Sequence, residues 1–138
     1  MRELLPLIEA DWRENGVEQE RIPLNLNLNQ YLDYDLVGIL QIVTAREDDV
    51  MVGFVFNFVH PHIMHVGMGW ALINLYWLYP EYRKRGIGRA LMEANIKFLE
   101  AAKVQVIEAS EKIGHSHGLF QRLGFTPTDT VLRKIIGG

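Results

Sequence analysis

Four cationic side chains and two glycines stand within Arg83-Lys84-Arg85-Gly86-Ile87-Gly88-Arg89, between an apolar run at Ala71–Tyr79 and a segment of helical periodicity at Ala90–Ala102. A strand that turns through glycines into a helix leaves backbone N–H groups unpaired at the helix start, where the macrodipole also favours negative charge. Glycine lets a ligand approach that backbone closely. The chemistry such a run can do is to hold phosphate. With a formal net charge of -3 for the whole chain, the basic cluster is local and suits a discrete anionic ligand, not a nucleic-acid surface.

Two common phosphate-binding patterns fail here. A nucleoside-triphosphate loop needs a lysine and a hydroxyl after its last glycine, and Gly88 is followed by Arg89-Ala90. A dinucleotide fingerprint needs a third glycine where Leu91 stands. The histidines His60, His62 and His65 suggest zinc, but their spacing across Pro61 fixes no tetrahedral site and no cysteine completes one. We expect no metal there, and a mobile loop bordering a binding pocket instead.

The elements that must position the phosphate loop follow from periodicity. Glu3–Glu14 carries Leu4, Leu5, Leu7, Ile8 and Trp12 at near-helical spacing, with Pro6 tolerable in a first turn. Ile22–Asn29 alternates leucine and asparagine and is read as a loop, followed by a short helix near Gln30–Tyr34. Val37–Ala45 and Val50–Val59 form a predicted hairpin about Arg46-Glu47-Asp48-Asp49, and Trp70–Tyr79 is the next strand. A long helix at Ala90–Ala102, a strand at Lys103–Ala109, a helix at His115–Leu123 and a final strand at Thr130–Ile136 complete the order. On Trp70–Tyr79, Tyr76 and Leu78 should face one way and Trp77 and Tyr79 the other. This order implies an α/β chain, more closely a mixed α+β sheet flanked by helices, in one domain over residues 1–138.

Hydrophobic residues make up 49% of the 138, enough for one core. The start, Met1-Arg2-Glu3, leads into an amphipathic segment and does not read as a signal peptide, and no run of apolar residues is long enough for a membrane span. The lack of cysteine excludes disulfides and a thiol nucleophile and fits a reducing compartment, so a cytoplasmic location is expected.

Arg83-x-x-Gly86-x-Gly88 resembles motif A of the GNAT superfamily of N-acetyltransferases, [QR]-x-x-G-x-[GA], and Leu78-Tyr79-Pro80-Glu81-Tyr82 before it is similar to the strand end that leads into that loop. Leu119-Phe120-Gln121-Arg122-Leu123-Gly124-Phe125 is similar to the L-Y-x-x-L-G-F segment ending the family's last helix. The likeness is tight over Ala71–Phe125 and rests on element order elsewhere, and the compact chain looks most like small members from bacteria and their phages. It implies a GNAT-like mixed, mostly antiparallel central sheet in which Arg83, Lys84, Arg85, Gly86, Ile87, Gly88 and Arg89 bind the pyrophosphate of acetyl-coenzyme A. The backbone of Trp77, Leu78 and Tyr79 would hold the pantetheine and polarise the thioester. The implied reaction is direct transfer of acetyl to a primary amine, small or peptidic, with no acyl-enzyme, no nucleic-acid partner and no membrane. A homodimer is common in the family, and the oligomeric state stays open.

The chain departs from that pattern where the leaving group is handled. Phe120 stands where many members carry a tyrosine that protonates the thiolate, and Ile113 is near the place of a frequent asparagine. Many members also carry an acid on the central strand; Ala71–Tyr79 has none, and Asn74 is its one polar non-aromatic side chain. Asn74 could hold a water, and Glu108 and Glu111 at the end of the next strand are the nearest acids. His115 and His117 titrate in the useful range, either as proton carriers or as solvated surface residues. Three classes therefore stay open: a catalytic N-acetyltransferase, an acetyl-coenzyme A binding module without turnover, and an interaction protein whose basic loop meets an acidic partner.

Overall fold

The sheet is laid down as a meander, because three β-rich segments follow one another with short connections. In the computed structural model, which describes residues 2–112 and 118–137, β1 (Leu40–Glu47), β2 (Val50–Pro61) and β3 (Gly69–Leu78) pair antiparallel in sequence order. The hairpin between β1 and β2 is tighter than the sequence suggests. Arg46 and Glu47 pair with Met51 and Val50, so the turn is made by Asp48 and Asp49 alone, at φ 50° and 64°. Aspartate tolerates the left-handed region that a two-residue hairpin turn demands.

After β3 the chain passes through a short 3-10 turn at Pro80–Tyr82 into α3 (Ile87–Ala101) and returns as β4 (Val104–Ala109). A helical crossover brings the next strand back in the same direction, and β4 indeed runs parallel to β3. Two helices come before the sheet. In α1 (Leu5–Asn15), Pro6 sits in the first turn; α2 (Leu28–Leu36) is capped by Asn27, whose side chain accepts a 3.1 Å bond from the Gln30 N–H.

Strand alternation divides the core into two layers. Leu4, Leu7 and Ile8, with Tyr31 and Tyr34, pack on Leu40, Phe54, Phe56 and Trp77 on one face. Leu91, Met92 and Ile96 of α3, with Phe120 and Leu123 around the short α4 (Leu119–Arg122), cover Val55, Ile73 and Tyr76 on the other. Trp77 and Tyr79 lie in the first layer and Tyr76 in the second, as the alternation predicts.

Inside the second layer lies a polar pair, two asparagines that each interrupt an apolar stripe. Asn57 on β2 and Asn95 on α3, both 0% exposed, exchange two amide bonds of 2.7 and 2.9 Å, and Asn57 Nδ2 also reaches the Gln41 carbonyl at 3.1 Å. The reciprocal pair fixes the rotation and height of α3 over the sheet, and therefore of its N-terminus.

The final strand expected at 130–136 does not form: among the described residues, nothing after α4 is helix or strand. Val131, Leu132 and Ile136 are 74%, 89% and 90% exposed. β-branched composition favours a strand only where a neighbour offers a ladder and a face to pack on, and this tail has neither.

Candidate functional site

The sheet opens where β3 outlasts β4. Their pairing runs from Gly69 with Val104 to Ile73 with Ala109 and stops there, while β3 continues to Leu78 with β2 as its one paired neighbour among the described residues. At the point of parting, Phe56 pairs with Leu75 but Asn57 with Ile73, so Asn74 is the extra residue of a bulge. Beyond it the backbone direction alternates. The Tyr79 N–H donates to the Val52 carbonyl at 2.9 Å; Tyr79 and Trp77 thus turn their backbone groups to β2, and Leu78 and Tyr76 turn theirs into the gap.

The gap ends at the start of α3. Gly86 is the N-cap at φ 79°, with no side-chain cap, and the first helical bond there runs from the Ala90 N–H to the Gly86 carbonyl at 3.1 Å. The N–H groups of the first turn have no partner within the helix. A Cβ built on Gly86 meets nothing within 4 Å, so backbone conformation rather than crowding calls for glycine there. Lys84, at φ 62°, is also held in the left-handed region.

The cations around this loop are not free as a set. Arg83 binds Glu14 of α1 at 2.6 Å, donates from Nε to the Leu78 carbonyl at 2.8 Å and lies over the Trp77 ring, 5.5 Å from its centroid. Arg85 pairs with Glu47 at 3.2 Å and covers Tyr82, and Arg89 pairs with Glu93 at 2.8 Å. Lys84 is the one cation of the run with no carboxylate partner among the described residues. The loop therefore offers an anion its free amides, the helix dipole and one lysine, with Arg83 serving as a clamp between α1, the end of β3 and the loop.

The second glycine has a different reason. A Cβ on Gly88 would come 2.6 Å from the Tyr76 hydroxyl. Tyr76 packs edge-on to Phe120 at 6.3 Å, and burial raises its phenol pKa, opposed by the nearby Arg83. Burial likewise raises the pKa of Asp11, the α1 residue that continues the stripe of Leu4, Leu7 and Ile8 towards the gap. Asp11 accepts a 2.8 Å bond from Asn15 and feels both Arg83 beyond β3 and Lys112 beyond β4.

On the α1/α2 face a cavity of about 260 Å³ is lined by Asn25, Leu26, Asn27, Gln30, Tyr31, Tyr34, Phe58 and Asn74. Asn74 is thus brought from the bulge into a hollow of amides and phenols. Glu108 is placed elsewhere. It pairs in register with Leu72, before the strands part, and its carboxylate accepts the Trp70 indole N–H. His65 stacks on that same Trp70 at 5.3 Å between ring centroids, and His62 packs against it at a tilt, at 4.4 Å. The histidine loop is therefore built around the indole at the far end of β3 and does not line the cavity. Among the described residues, no group of three or more histidines and acids is placed to hold a metal ion. His115 and His117 lie outside the described residues.

Sequence reasoning missed Asp11, the approach of the β3 residue Tyr76 to Gly88, and the Asn57–Asn95 pair. A signal was present for Asp11 and for both asparagines, since each is a polar residue on an otherwise apolar stripe.

The sequence model of the Acetyltransferase (GNAT) family matches residues 3–125. The chain belongs to the GNAT family. Solved structures give this GNAT chain the same fold at low identity. A transcriptional regulator from Bacillus halodurans C-125 superposes with a TM-score of 0.76 at 15% identity, over 99% of this chain and 95% of that one. An aminoglycoside acetyltransferase from an uncultured soil metagenomic sample, in complex with sisomicin, gives 0.73 at 17%, over 99% and 86%. A predicted acetyltransferase with acetyl-CoA from Clostridium acetobutylicum gives 0.74 at 14%, over 96% and 87%. No curated protein matches the chain. Membership of the GNAT family implies acetyl transfer from acetyl-coenzyme A.

Proposed function

We propose that this GNAT protein transfers the acetyl group of acetyl-coenzyme A to a primary amine by direct attack in a ternary complex. The observation that carries the reading is the continuity of the gap beside β3 with the uncapped first turn of α3. The diphosphate sits on the amides of Gly86, Ile87 and Gly88, with Lys84 beside it and Arg83, Arg85 and Arg89 holding the loop in shape. The pantetheine lies in the gap, where it takes the place of β4 against the backbone of Leu78 and Tyr76. Trp77 and Tyr79 support it as packing, since their backbone groups are spent on β2.

The amine reaches the thioester from the cavity at Asn74. An ammonium must lose a proton before it attacks; Asn74 holds a water at the bulge for that transfer, and His115 and His117, which precede α4 in sequence, are the candidate proton carriers. Glu108, held by Trp70, is the weaker candidate. The attacking nitrogen bonds to the acetyl carbon, the carbon–sulfur bond breaks, and coenzyme A leaves as a thiolate. Its acidity is near that of a cysteine thiol, about 8.5, so departure without an acid is slow but feasible. The cavity's amides and phenols suit an amine that also carries hydrogen-bonding groups, and the aminoglycoside enzyme among the structural neighbours supports an amine acceptor. A cytoplasmic setting fits a chain without cysteine.

Release of free thiol from acetyl-coenzyme A over a panel of amino sugars, polyamines and peptides tests the assignment. Turnover with at least one class is expected. A second reading, cofactor binding without transfer, is favoured by Phe120 and by the absence of a carboxylate on β3; binding without thiol release across the whole panel selects it.

A further inference from the structure

We propose that the Tyr76 hydroxyl donates a hydrogen bond to the phosphate end of bound coenzyme A, and that position 88 is glycine to leave this hydroxyl its place. The inference rests on the reading of the loop as a coenzyme A site. Tyr76 belongs to the stretch of β3 that has lost its parallel neighbour, and its side chain crosses to α3, where its ring is fixed edge-on against Phe120. The hydroxyl ends 2.6 Å from where a Gly88 Cβ would be. Cα–Cβ bonds on a helix tilt towards its N-terminus, so that point, on the side of α3 that faces β3, is displaced towards the helix start, where the first-turn amides lie. Among the described residues the hydroxyl has no hydrogen-bond partner. A half-buried phenol without a partner, beside a set of free N–H donors, adds one more donor to the same anion site. A phenol keeps its proton at neutral pH, and burial raises the Tyr76 pKa further.

The second glycine of the motif is then coupled to a residue on another element. A methyl group at position 88 would displace the hydroxyl instead of blocking the phosphates directly. Tyr76 is a binding residue in this account; its ring keeps its packing role whether or not the oxygen is present.

The test is titration of the full chain with coenzyme A and with 3′-phosphoadenosine 5′-diphosphate, which keeps the phosphates and lacks the pantetheine arm. Tyr76→Phe keeps the ring and should weaken both ligands by about tenfold, the usual scale for one bond to a charged acceptor. Gly88→Ala should weaken both in the native background and add little in the Tyr76→Phe background. A Tyr76→Phe protein that binds both as well as the native chain overturns the proposal, as does a loss confined to coenzyme A, which would put the contact on the arm. Failure of the native chain to bind coenzyme A overturns this proposal together with the cofactor reading, whereas binding of coenzyme A without binding of the diphosphate fragment overturns this proposal alone.

Discussion

Gly86 shows how much a single residue decides here. Its φ of 79° lies in the region where an L side chain costs about 1–2 kcal/mol, and no neighbour crowds it. Gly86→Ala should therefore lower unfolding free energy by about 1 kcal/mol in urea titrations; a loss of several times that size would mean the site is crowded after all. Asn57→Leu leaves the Asn95 amide buried without its partner and should cost about 1–3 kcal/mol. Changing both to leucine should cost less than the two single changes together, as read by a double-mutant cycle. Asp11 gives a pH signature. Its folded pKa is raised by burial, so the native state holds that proton more tightly than the unfolded chain, and stability from this group falls as pH rises from the unfolded value to the folded one. Asp11→Asn should thus raise Tm at pH 7 and leave it nearly unchanged at pH 3; equal shifts at both would assign the effect to something other than charge. Asn15, which bonds Asp11, keeps an acceptor in that variant.

At the level of elements, the site is made by a mismatch in strand length. β3 carries on past the last β4 pair, a bulge at Asn74 starts the divergence, and Arg83 ties the end of β3 to α1. The two bonds of Arg83 should differ in weight. The Glu14 pair is partly exposed, so Glu14→Gln should shift stability by less than about 0.5 kcal/mol. Arg83→Leu also strips the Leu78 carbonyl of its donor and should cost about 1–2 kcal/mol in the same unfolding assay; equal effects of the two changes would contradict the clamp. These features explain what could be read in advance. The turn from β3 through two glycines into α3 is legible in the sequence because strand end, glycines and helix start are contiguous, and the strands up to β4 fall within a few residues of their expected bounds. The pairing of Arg83 with Glu14 and of Arg85 with Glu47 was not legible, since each joins residues far apart in sequence, and the loop consequently looked more positive than it is. The packing of the histidine loop on Trp70 at the start of β3, away from the cavity at Asn74, is not displayed by sequence spacing, and the tail at 130–136 forms no strand because composition alone supplies no neighbouring strand.

For the molecule as a whole, two helical layers hold a sheet that is closed at one end and parted at the other, and the α3 N-terminus is held where the parting opens. The Asn57–Asn95 pair, the Arg83 clamp and the Tyr76–Gly88 contact each fix one coordinate of that terminus relative to β2, α1 and β3. GNAT membership and the mixed sheet fit together with this arrangement. In the proposed reaction, turnover would depend on more than anion binding at α3, because Phe120 offers no proton and β3 no carboxylate. The claim on which the account rests is tested most directly by calorimetric titration of acetyl-coenzyme A into the native chain and into Gly86→Asp, which sets a carboxylate in front of the free amides. One site per chain with micromolar affinity, lost in the variant, is the predicted result; equal binding by the two proteins, or none by the native chain, would contradict it.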